Sequence, residues 1–315
     1  MASSKVPLVV VGESLVDIVL DQQGNTTSAV GGSPMNVAVG LARLEVPTLL
    51  ITQVGDDDFG RRVVEHVRAS AAEITGSSLQ PGRRTSTATA RLGVGNTASY
   101  EFDLVWELTA QELPESVGLH VGSLGASLLP GRKAVVDLVR QAAAEDLFVS
   151  YDPNIRPAFV KDRQQTWLDT VEVAAMSTLV KVSEEDLEIL RPGESRASVA
   201  RELLTGQRTE LVIVTRAGDG ALAVSDLFEI EVPTQSVEVV DTLGAGDSFT
   251  AAALAILSGW GIPETIPGGL GALDEDRVRT LLGSSMTAAA ITCSRRGANP
   301  PTRSELPTTW PTLRD

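Results

Sequence analysis

The sequence predicts an α/β protein in which helices flank a doubly wound, mostly parallel sheet and a small β-sheet forms a lid. Short runs of valine, isoleucine and leucine recur along the chain, as is typical of parallel strands that are covered on both faces. Segments with helical spacing separate these runs. Two other segments alternate polar and apolar residues, which is the period of strands with one exposed face. We therefore expect a single domain over residues 1–315, with lid segments inserted in it at about 14–31 and 85–108.

The predicted strands and helices alternate along most of the chain. The strands are predicted at Leu8–Val11, Thr48–Gln53, Leu119–Val121, Phe148–Tyr151, Thr178–Val180 and Leu211–Thr215. The helices are predicted at Asn36–Leu44, Gly60–Ser70, Arg132–Ala144, Thr166–Met176 and Ser198–Leu204. Alternation of this kind is typical of a sheet that carries helices on both faces.

The lid is predicted from the alternation inside its two segments. In the second segment, Thr87–Ala90 and Tyr100–Leu104 alternate polar and apolar residues, and Gly93–Ala98 between them is interpreted as a hairpin turn. Such half-exposed strands usually run antiparallel. They either pair into a small sheet that projects from the main body or add a hairpin to the edge of the main sheet.

The last third of the chain is predicted to be mostly helical. Acidic side chains favour the N-terminal end of a helix dipole, so Asp274–Asp276 would begin a helix. Arg295 and Arg296 would end it before Gly297.

Charge and composition disfavour or exclude several classes of protein. The chain carries 26 basic and 41 acidic side chains, and its net charge of −15 disfavours binding to nucleic acid or to an anionic membrane. Its one cysteine, Cys293, excludes an internal disulfide, and two histidines, His66 and His120, make a histidine metal centre or a catalytic triad improbable. The sequence has neither an apolar run of the ~18 residues that a membrane span needs nor the pattern of a signal peptide. We therefore expect a cytoplasmic protein.

The segment over residues 237–257 carries the clearest chemical signal. We predict a short strand at Val237–Val240, a turn of small residues, and a helix at Ala251–Leu257. Gly244–Gly246 add almost no side-chain bulk, so backbone N–H groups at this turn can bind an anion, helped by the helix dipole and without a lysine. Asp247 beside them is either an ordinary helix cap or a base that accepts a hydroxyl proton, as phosphoryl transfer requires.

Two motifs make the chain resemble the ribokinase-like (pfkB) carbohydrate kinases. Asp241–Phe249, which reads DTLGAGDSF, is similar to the C-terminal signature of that family. Gly31–Ala38, which reads GGSPMNVA, resembles the N-terminal signature together with Gly55-Asp56 and Asp58–Gly60. The motifs lie about two hundred residues apart in the expected order, and the resemblance covers nearly the whole chain. It implies a ribokinase-like fold and an ATP-dependent sugar kinase.

The resemblance also implies roles for individual residues. Catalysis would involve Asp247 as the base, an anion hole at Gly244, Ala245 and Gly246, and Arg156 near the developing charge. Substrate binding would involve Asp17, Gly31, Gly32, Asn36, Tyr100, Phe102, Asn154, Arg156 and Asp247. Nucleotide binding would involve Lys181, Ser183, Thr215, Arg216, Gly218, Gly220, Gly244 and Gly246. Glycine allows close backbone approach, and Asp and Asn offer several hydrogen-bonding atoms.

The cation sites implied by the resemblance fall on two segments. The Asn-x-x-Glu motif of the family, associated with Mg²⁺ and phosphate, reads SEED at Ser183–Asp186, so either Glu185 or Asp186 would supply the carboxylate. A monovalent cation, K⁺ in particular, would lie near Asp241.

The nucleotide turn of the family is also altered in this chain. Its Thr-x-Gly pattern reads Thr215-Arg216-Ala217 here, with Gly218 and Gly220 following. Arg216 either touches a phosphate or faces solvent.

Three features resemble the bacterial fructokinase branch of the family. Tyr100 and Phe102 alternate onto one face of a strand, where they either cover a sugar ring or form the core of the lid. Gly122-Ser123 follows a predicted strand. Asp152–Pro157, which reads DPNIRP, also resembles a motif of 2-keto-3-deoxygluconate kinases. Within it, the planar fork of Arg156 suits a phosphate or carboxylate, and a structural salt bridge is the alternative.

These expectations combine into one functional hypothesis. The chain would use ATP and Mg²⁺, with K⁺ as a further cofactor, to phosphorylate D-fructose, and 2-keto-3-deoxygluconate and ribose are the alternative substrates. Its partners would be the sugar and ATP, with no nucleic acid or membrane, and it would form a homodimer through the lid. The alternative from another class is a catalytically silent sugar-sensing protein, which the intact Asp247 and glycine turn disfavour.

Overall fold

The computed structural model describes residues 6–92, 98–204, 208–234, 237–261 and 269–311. Numbered in chain order, the strands are β1 (Leu8–Val11), β2 (Leu15–Leu20), β3 (Thr26–Gly31), β4 (Thr48–Ile51), β5 (Val54–Gly55), β6 (Glu73–Ile74), β7 (Leu79–Gln80), β8 (Ser86–Leu92), β9 (Ala98–Asp103), β10 (Gly118–Gly122), β11 (Phe148–Asp152), β12 (Leu179–Ser183), β13 (Leu211–Thr215), β14 (Ala221–Val224) and β15 (Glu229–Val232). The helices are α1 (Ser33–Arg43), α2 (Asp58–Ala69), α3 (Ser123–Ser127), α4 (Arg132–Ala144), α5 (Arg163–Ala174), α6 (Glu184–Leu190), α7 (Arg196–Leu203), α8 (Ala245–Gly259) and α9 (Glu275–Cys293).

The largest sheet has nine strands in the order β15-β14-β13-β12-β11-β10-β1-β4-β6. Neighbouring strands run parallel from β13 to β6, and the β14–β15 hairpin extends the other edge in antiparallel fashion. The doubly wound, mostly parallel sheet predicted from the sequence is therefore confirmed. β12 reaches Ser183, three residues beyond its predicted end, and this places Lys181 on the strand.

Helices cover both faces of this sheet because successive strand residues point to opposite sides. Val10 of β1 belongs to a core that includes apolar residues of α1, α2, α8 and α9. The adjacent Val9 belongs to a second core with apolar residues of α4, α5, α6 and α7. The parallel strands all end at one edge of the sheet, so the loops that follow them converge there.

A separate four-stranded sheet has the order β3-β2-β8-β9. The small sheet predicted from the alternating segments is confirmed, and the alternative of an extra hairpin on the main sheet is wrong. Its outer pairs are antiparallel, but β2 and β8 in the middle run parallel, with Leu15 opposite Ser86. Residues 93–97 of the turn predicted at Gly93–Ala98 lie outside the described residues.

The predicted strand at Val237–Val240 is wrong. All four of its side chains are exposed, and the backbone N–H groups of Val240 and Asp241 both donate to the carbonyl oxygen of Cys293, at 2.8 and 3.1 Å. Two successive N–H groups that donate to the same carbonyl oxygen do not form the hydrogen-bond ladder of a β-sheet. α8 begins at Ala245 rather than Ala251, so the small residues form the first turn of the helix.

The helix predicted near the C-terminus is confirmed as α9. Asp274 caps it by accepting a hydrogen bond from the backbone N–H of Arg277 at 2.8 Å. It ends at Cys293, two residues before Arg295. No helix of the described residues combines the length and the apolar character that crossing a membrane requires.

Candidate functional site

Asp247 lies in the first turn of α8, where the N-terminal ends of α8 and α1 meet. Its carboxylate Oδ1 accepts a hydrogen bond from the Ser33 hydroxyl at 2.6 Å, and Oδ2 accepts one from Asn36 Nδ2 at 2.7 Å. The Asp247 residue is only 8 % exposed. Asn36, which we expected to bind the sugar, therefore also forms a hydrogen bond with Asp247, the expected base. Ser33 forms the second hydrogen bond with Asp247, and no role was assigned to Ser33 from the sequence.

Close packing of two small residues brings the helices together. A Cβ added to Gly40 of α1 would lie 2.6 Å from the Cβ of Ala251 of α8. Four residues earlier along α1 is Asn36 and four residues earlier along α8 is Asp247, so one helical turn separates this contact from the hydrogen bond. The helix crossing thus sets the distance between the base and its partners.

Burial raises the pKa of Asp247, and the negative charge of Asp152 raises it further. Hydrogen bonds from Ser33 and Asn36 and the positive charge of Lys181 act in the opposite direction, because they stabilise the carboxylate. The result is a buried carboxyl group with a pKa above its usual range, which suits a group that must take up a proton.

Lys181 lies beneath this turn and forms a buried ion pair with Asp152. The two side chains are joined by a 3.0 Å contact from Nζ to Oδ2, and the Thr250 hydroxyl of α8 donates to the same oxygen at 3.3 Å. Burial alone would lower the pKa of Lys181, but the charges of Asp152, Asp186 and Asp247 raise it overall. Lys181 therefore stays charged beside the Gly244–Gly246 turn. From the sequence we expected the anion site at this turn to consist of backbone N–H groups, without a lysine.

The turn at Gly244–Gly246 has two glycines for different reasons. Gly244 has φ +77°, in the left-handed region, and an added Cβ would lie 2.6 Å from the Cβ of Ala298. An added Cβ at Gly246 would lie 3.3 Å from Lys181 Nζ. The N–H of Ala245 donates to the carbonyl oxygen of Thr242 at 3.2 Å, and that of Ser248 donates to the carbonyl oxygen of Gly244 at 2.9 Å. The N–H groups of Gly246 and Asp247 between them have no acceptor within the helix.

Asp17 and the glycine pair at 31 and 32 lie beside the start of α1. A Cβ at Gly31 would overlap Oδ2 of Asp17, and one at Gly32, which has φ +112°, would lie 2.5 Å from the carbonyl oxygen of Glu13. Burial raises the pKa of Asp17, and the Arg156 charge counters it. Asp17 and the Gly31-Gly32 turn are thus brought to one place, adjoining Ser33 and Asn36.

Arg156 follows β11 and is exposed. Its Nη1 donates to Asn154 Oδ1 at 2.7 Å. Within the described residues Arg156 forms no ion pair with a carboxylate at contact distance, so the alternative of a structural salt bridge gains no support. The guanidinium still attracts Glu13 and Asp17 at longer range.

An aromatic row links the small sheet to the Arg156 segment. Tyr100, which is 66 % exposed, stacks on Phe102 with ring centroids 6.3 Å apart. Phe102 and Phe159 pack in a T-shaped arrangement with ring centroids 5.1 Å apart, and Phe159 belongs to the short 3₁₀ turn Pro157–Phe159 directly after Arg156. No role was assigned to Phe159 from the sequence, although its position three residues after Arg156 could have indicated that it lies near the site.

The expected nucleotide residues lie at the ends of neighbouring strands. Thr215 of β13 is opposite Ser183 of β12. Arg216 points to the β14–β15 hairpin, where its Nη2 lies 3.1 Å from Glu231 Oε2. Gly220 has φ +94° and packs against the Val232 carbonyl oxygen, while Gly218 has open space where a Cβ would lie. The contacts of Arg216 therefore favour a hairpin salt bridge over a phosphate contact.

The two carboxylates expected at the Mg²⁺ site have different surroundings. Asp186 is buried, and its oxygens accept hydrogen bonds from the N–H of Ile155 at 2.6 Å and from the N–H and hydroxyl of Ser183 at 2.9 and 2.6 Å. It caps α6. Glu185 is exposed. Among the described residues there is no group of three side chains suited to hold a metal ion, so a metal here would need phosphate and water as further ligands.

Asp241, expected beside a monovalent cation, ties the loop before α8 to the segment after α9. Its Oδ1 accepts a hydrogen bond from the N–H of Leu243 at 3.0 Å, and Oδ2 accepts one from Gly297 at 2.8 Å. The Gly297 hydrogen bond is the main reason why the pKa of Asp241 is lowered, so the group remains a carboxylate.

Comparisons with known proteins cover nearly the whole chain. Residues 7–305 match the family described as pfkB family carbohydrate kinase. A fructokinase of Klebsiella pneumoniae is 31% identical over 301 residues, which are 92% of this chain and 94% of that protein.

Solved structures with this fold include two sugar kinases with ligands. A putative ribokinase II from E. coli in complex with ATP and Mg²⁺ has a TM-score of 0.75 at 23% identity, covering 93% of this chain and 94% of that one. A double mutant of the fructokinase from Vibrio cholerae O395, with fructose, ADP and potassium ion bound, has a TM-score of 0.76 at 24% identity, covering 95% of each chain. At these identities the structures establish the ribokinase-like fold alone.

Proposed function

Because this chain belongs to the pfkB family of carbohydrate kinases, we propose that it transfers the γ-phosphoryl group of ATP to D-fructose and forms fructose 6-phosphate. The observation that carries the proposal is the buried Asp247, held by Ser33 and Asn36 in the first turn of α8. In this arrangement the proposed proton acceptor and the proposed anion site would lie within one helical turn, between the segments expected to hold the sugar.

Asp247 would act as the general base for the sugar hydroxyl. A carboxylate has about four lone-pair positions, so Asp247 can keep the hydrogen bonds from Ser33 and Asn36 and accept a proton from the substrate as well. Those two donors fix the orientation of the carboxylate. A positioned base of this kind contributes about 10² to 10⁴ in rate.

The charge that develops on the transferred phosphoryl group would meet N–H groups at the start of α8 that have no acceptor within the helix, such as that of Gly246, and the Lys181 ammonium. Lys181 is kept charged by its neighbours and lies directly beneath Gly246. Such preorganised positive groups stabilise a transition state without reorganising during the reaction. Arg156, free of a carboxylate partner at contact distance within the described residues, would supply a further positive charge from the sugar side.

Two cations would accompany ATP. Glu185 is the exposed carboxylate after β12 that is able to approach Mg²⁺, since Asp186 is buried and its oxygens already accept three hydrogen bonds. Mg²⁺ bound to the phosphates would neutralise charge on the β- and γ-oxygens. K⁺ would lie near the Asp241 loop. Two solved relatives of this fold contain ATP with Mg²⁺ and ADP with potassium, respectively, which supports the assignment.

Fructose is preferred over other sugars for two reasons. The relative from Klebsiella pneumoniae that is 31% identical is a fructokinase. In addition, the exposed Tyr100 and its neighbour Phe102 offer an apolar face that a furanose ring can stack against. 2-Keto-3-deoxygluconate, with a carboxylate for Arg156, is the second candidate, and ribose is the third. The four-stranded sheet would close over the sugar and exclude water.

A substrate panel tests the proposal. ATP-dependent turnover of fructose, ribose, 2-keto-3-deoxygluconate and nucleosides is measured in potassium chloride and again in tetramethylammonium chloride. We expect fructose to have the highest kcat/KM and potassium to support the higher rate. A higher kcat/KM for 2-keto-3-deoxygluconate would replace fructose as substrate, and equal rates in both salts would contradict the potassium site. Sedimentation of the same protein tests the proposed homodimer.

A further inference from the structure

An aromatic contact joins the small sheet to the main body beside the expected sugar site. Phe102 lies on β9, the outer strand of the small sheet, and its ring packs on that of Phe159 in a T-shaped arrangement with centroids 5.1 Å apart. Tyr100 of the same strand stacks on Phe102 with centroids 6.3 Å apart. The proposed chemistry assigns Tyr100 and Phe102 to the sugar and gives Phe159 no role.

The backbone around Phe159 is fixed by hydrogen bonds. The N–H of Phe159 donates to the carbonyl oxygen of Arg156 at 2.9 Å, which closes the 3₁₀ turn. The N–H of Ile155, directly before Arg156, donates to Oδ1 of the buried Asp186 at 2.6 Å. Arg156 and Phe159 therefore belong to one short hydrogen-bonded turn, and the position of one constrains the position of the other.

The side chain of Phe159 depends on Phe102 for part of its packing. Phe159 is half-buried, and on the side of the main body it lines a cavity together with Tyr151 and residues of α5. Because the ring borders a cavity there, the small sheet supplies packing that the main body does not. An aromatic pair in this geometry contributes free energy beyond the apolar area that it buries.

We propose that Phe159 is a positioning residue for substrate binding, because its contact with Phe102 fixes the small sheet relative to the turn that carries Arg156. The inference rests on the proposed function for the identity of the substrate. Tyr100 and Phe102 on the sheet and Arg156 on the turn are expected to contact the sugar, and Phe159 sets the distance between these two groups. Phe159 neither takes a proton nor touches the phosphoryl group.

A second contact between main body and small sheet provides the alternative. Arg62 of α2 donates from Nη1 to the hydroxyl of Ser28 at 2.9 Å and from Nη2 to its carbonyl oxygen at 3.0 Å, and Ser28 lies on the opposite outer strand, β3. If these exposed hydrogen bonds alone positioned the sheet, loss of the Phe159 ring would not change substrate binding. The variant Arg62→Met tests this alternative.

The main test compares Phe159→Leu and Phe159→Tyr with the wild type. Leucine keeps an apolar side chain and removes the ring, whereas tyrosine keeps the ring. We expect F159L to raise the KM for fructose about fivefold, within the range of about two- to tenfold that an aromatic pair supports, with kcat changed less than about threefold. F159Y should have a KM within about twofold of the wild type.

The ratio of products gives a readout that a loss of stability alone would not change. We expect F159L to form more than one ADP per fructose 6-phosphate, because a sheet that is held less firmly excludes water less well. Phe228→Leu, which removes a half-buried ring between β14 and β15, is the matched control and should leave KM and the ratio unchanged.

A double-mutant cycle assigns the effect to the contact between the two rings. In a Phe102→Leu protein, F159L should raise KM less than about twofold, because the contact is already lost. Three results would each overturn the proposal: an unchanged KM in F159L, the same fold-change in both backgrounds, or a larger rise in KM in R62M than in F159L.

A measurement without turnover keeps the test independent of the proposed function. Hydrogen–deuterium exchange of the β9 amides, in the absence of substrate, should be at least about threefold faster in F159L than in the wild type and F228L. If the exchange is the same in all three proteins, Phe159 does not hold the small sheet and the inference fails. If β9 exchanges faster in F159L but the wild type phosphorylates no sugar, the contact stands and the proposed function is wrong.

Discussion

At the scale of the residue, Asp247 has two hydrogen-bond partners that orient its carboxylate and two charged neighbours that shift its pKa. Ser33 and Asn36 occupy one side of each carboxylate oxygen, and Lys181 and Asp152 act on its pKa in opposite directions. The side chain is oriented before a substrate arrives. Preorganisation of this kind is what makes a carboxylate an efficient base.

Replacing Asp247 with asparagine removes the proposed base and keeps the shape of the side chain. The amide can still bond Ser33 and Asn36, since the Ser33 hydroxyl can accept as well as donate. We expect kcat to fall by about 10³, the middle of the range for a positioned base, while the dissociation constant for fructose changes less than about threefold. Steady-state kinetics and calorimetry provide the two values.

The control for this prediction is Asp137→Asn, an exposed aspartate of α4 that pairs with Arg140. It should leave both values unchanged. A kcat of Asp247→Asn within tenfold of the wild type would show that another group accepts the proton.

Sequence reasoning identified single residues where their chemistry is encoded in one motif. Asp247 and its glycine turn were predicted in this way, and the structure places them together with Asn36 and Lys181. Ser33, Asp152 and Glu13 were not assigned, because their roles depend on partners more than a hundred residues away or on a separate strand. Such long-range pairs leave no spacing pattern in the sequence.

At the scale of the element, the contact of α1 with α8 decides the geometry of the site. The helices approach closely because Gly40 has no side chain opposite Ala251. Any atom added there must push the helices apart or shift the chain, and both hydrogen bonds to Asp247 lie about one turn away.

The change Gly40→Ala should therefore weaken both stability and turnover. Overpacking of a tight contact costs about 1–3 kcal/mol, and we expect a loss of this size in urea denaturation together with a clear fall in kcat. The double variant Gly40→Ala/Ala251→Gly removes the opposing methyl group and should recover most of the activity. If the double variant is as slow as the single one, the contact does not set the geometry.

Strands and helices were predicted well from the sequence where the pattern of hydrophobic residues is clear. β1, β13 and α4 have the predicted bounds. The run Val237–Val240 has the composition of a strand but no partner strand among the described residues, and hydrogen bonding to Cys293 decides its conformation. The start of α8 was missed because glycine is a weak helix former, whereas the close approach of Ala298 and Lys181 leaves little room for a side chain at Gly244 and Gly246.

At the scale of the whole molecule, buried titratable groups make stability depend on pH in opposing ways. The pKa of Glu13 is raised to about 7, so the folded state binds a proton more tightly than the unfolded state and its stability falls as pH rises from about 4.5 to 7. Burial lowers the pKa of His120 to about 3, so that group removes stability as pH falls below 6.5.

The contribution of Glu13 can be isolated by difference. The shift from 4.5 to about 7 corresponds to about 3 kcal/mol. The free energy of unfolding of E13Q minus that of the wild type should therefore grow by about this amount between pH 4.5 and pH 8, as measured by urea denaturation. The contribution of His120 cancels in this difference. A difference that stays constant with pH would mean that Glu13 titrates normally.

The strand order of the two large sheets has a consequence for association between molecules. The main sheet ends on one side in β6, only two residues long, and on the other in β15, where the exposed Glu229 and Glu231 are charged. Short or charged outer strands resist pairing with another chain. The small sheet ends in β3 and β9, each six residues long. Backbone addition by a strand of another molecule is therefore discouraged around the main body and directed to the edges of the small sheet.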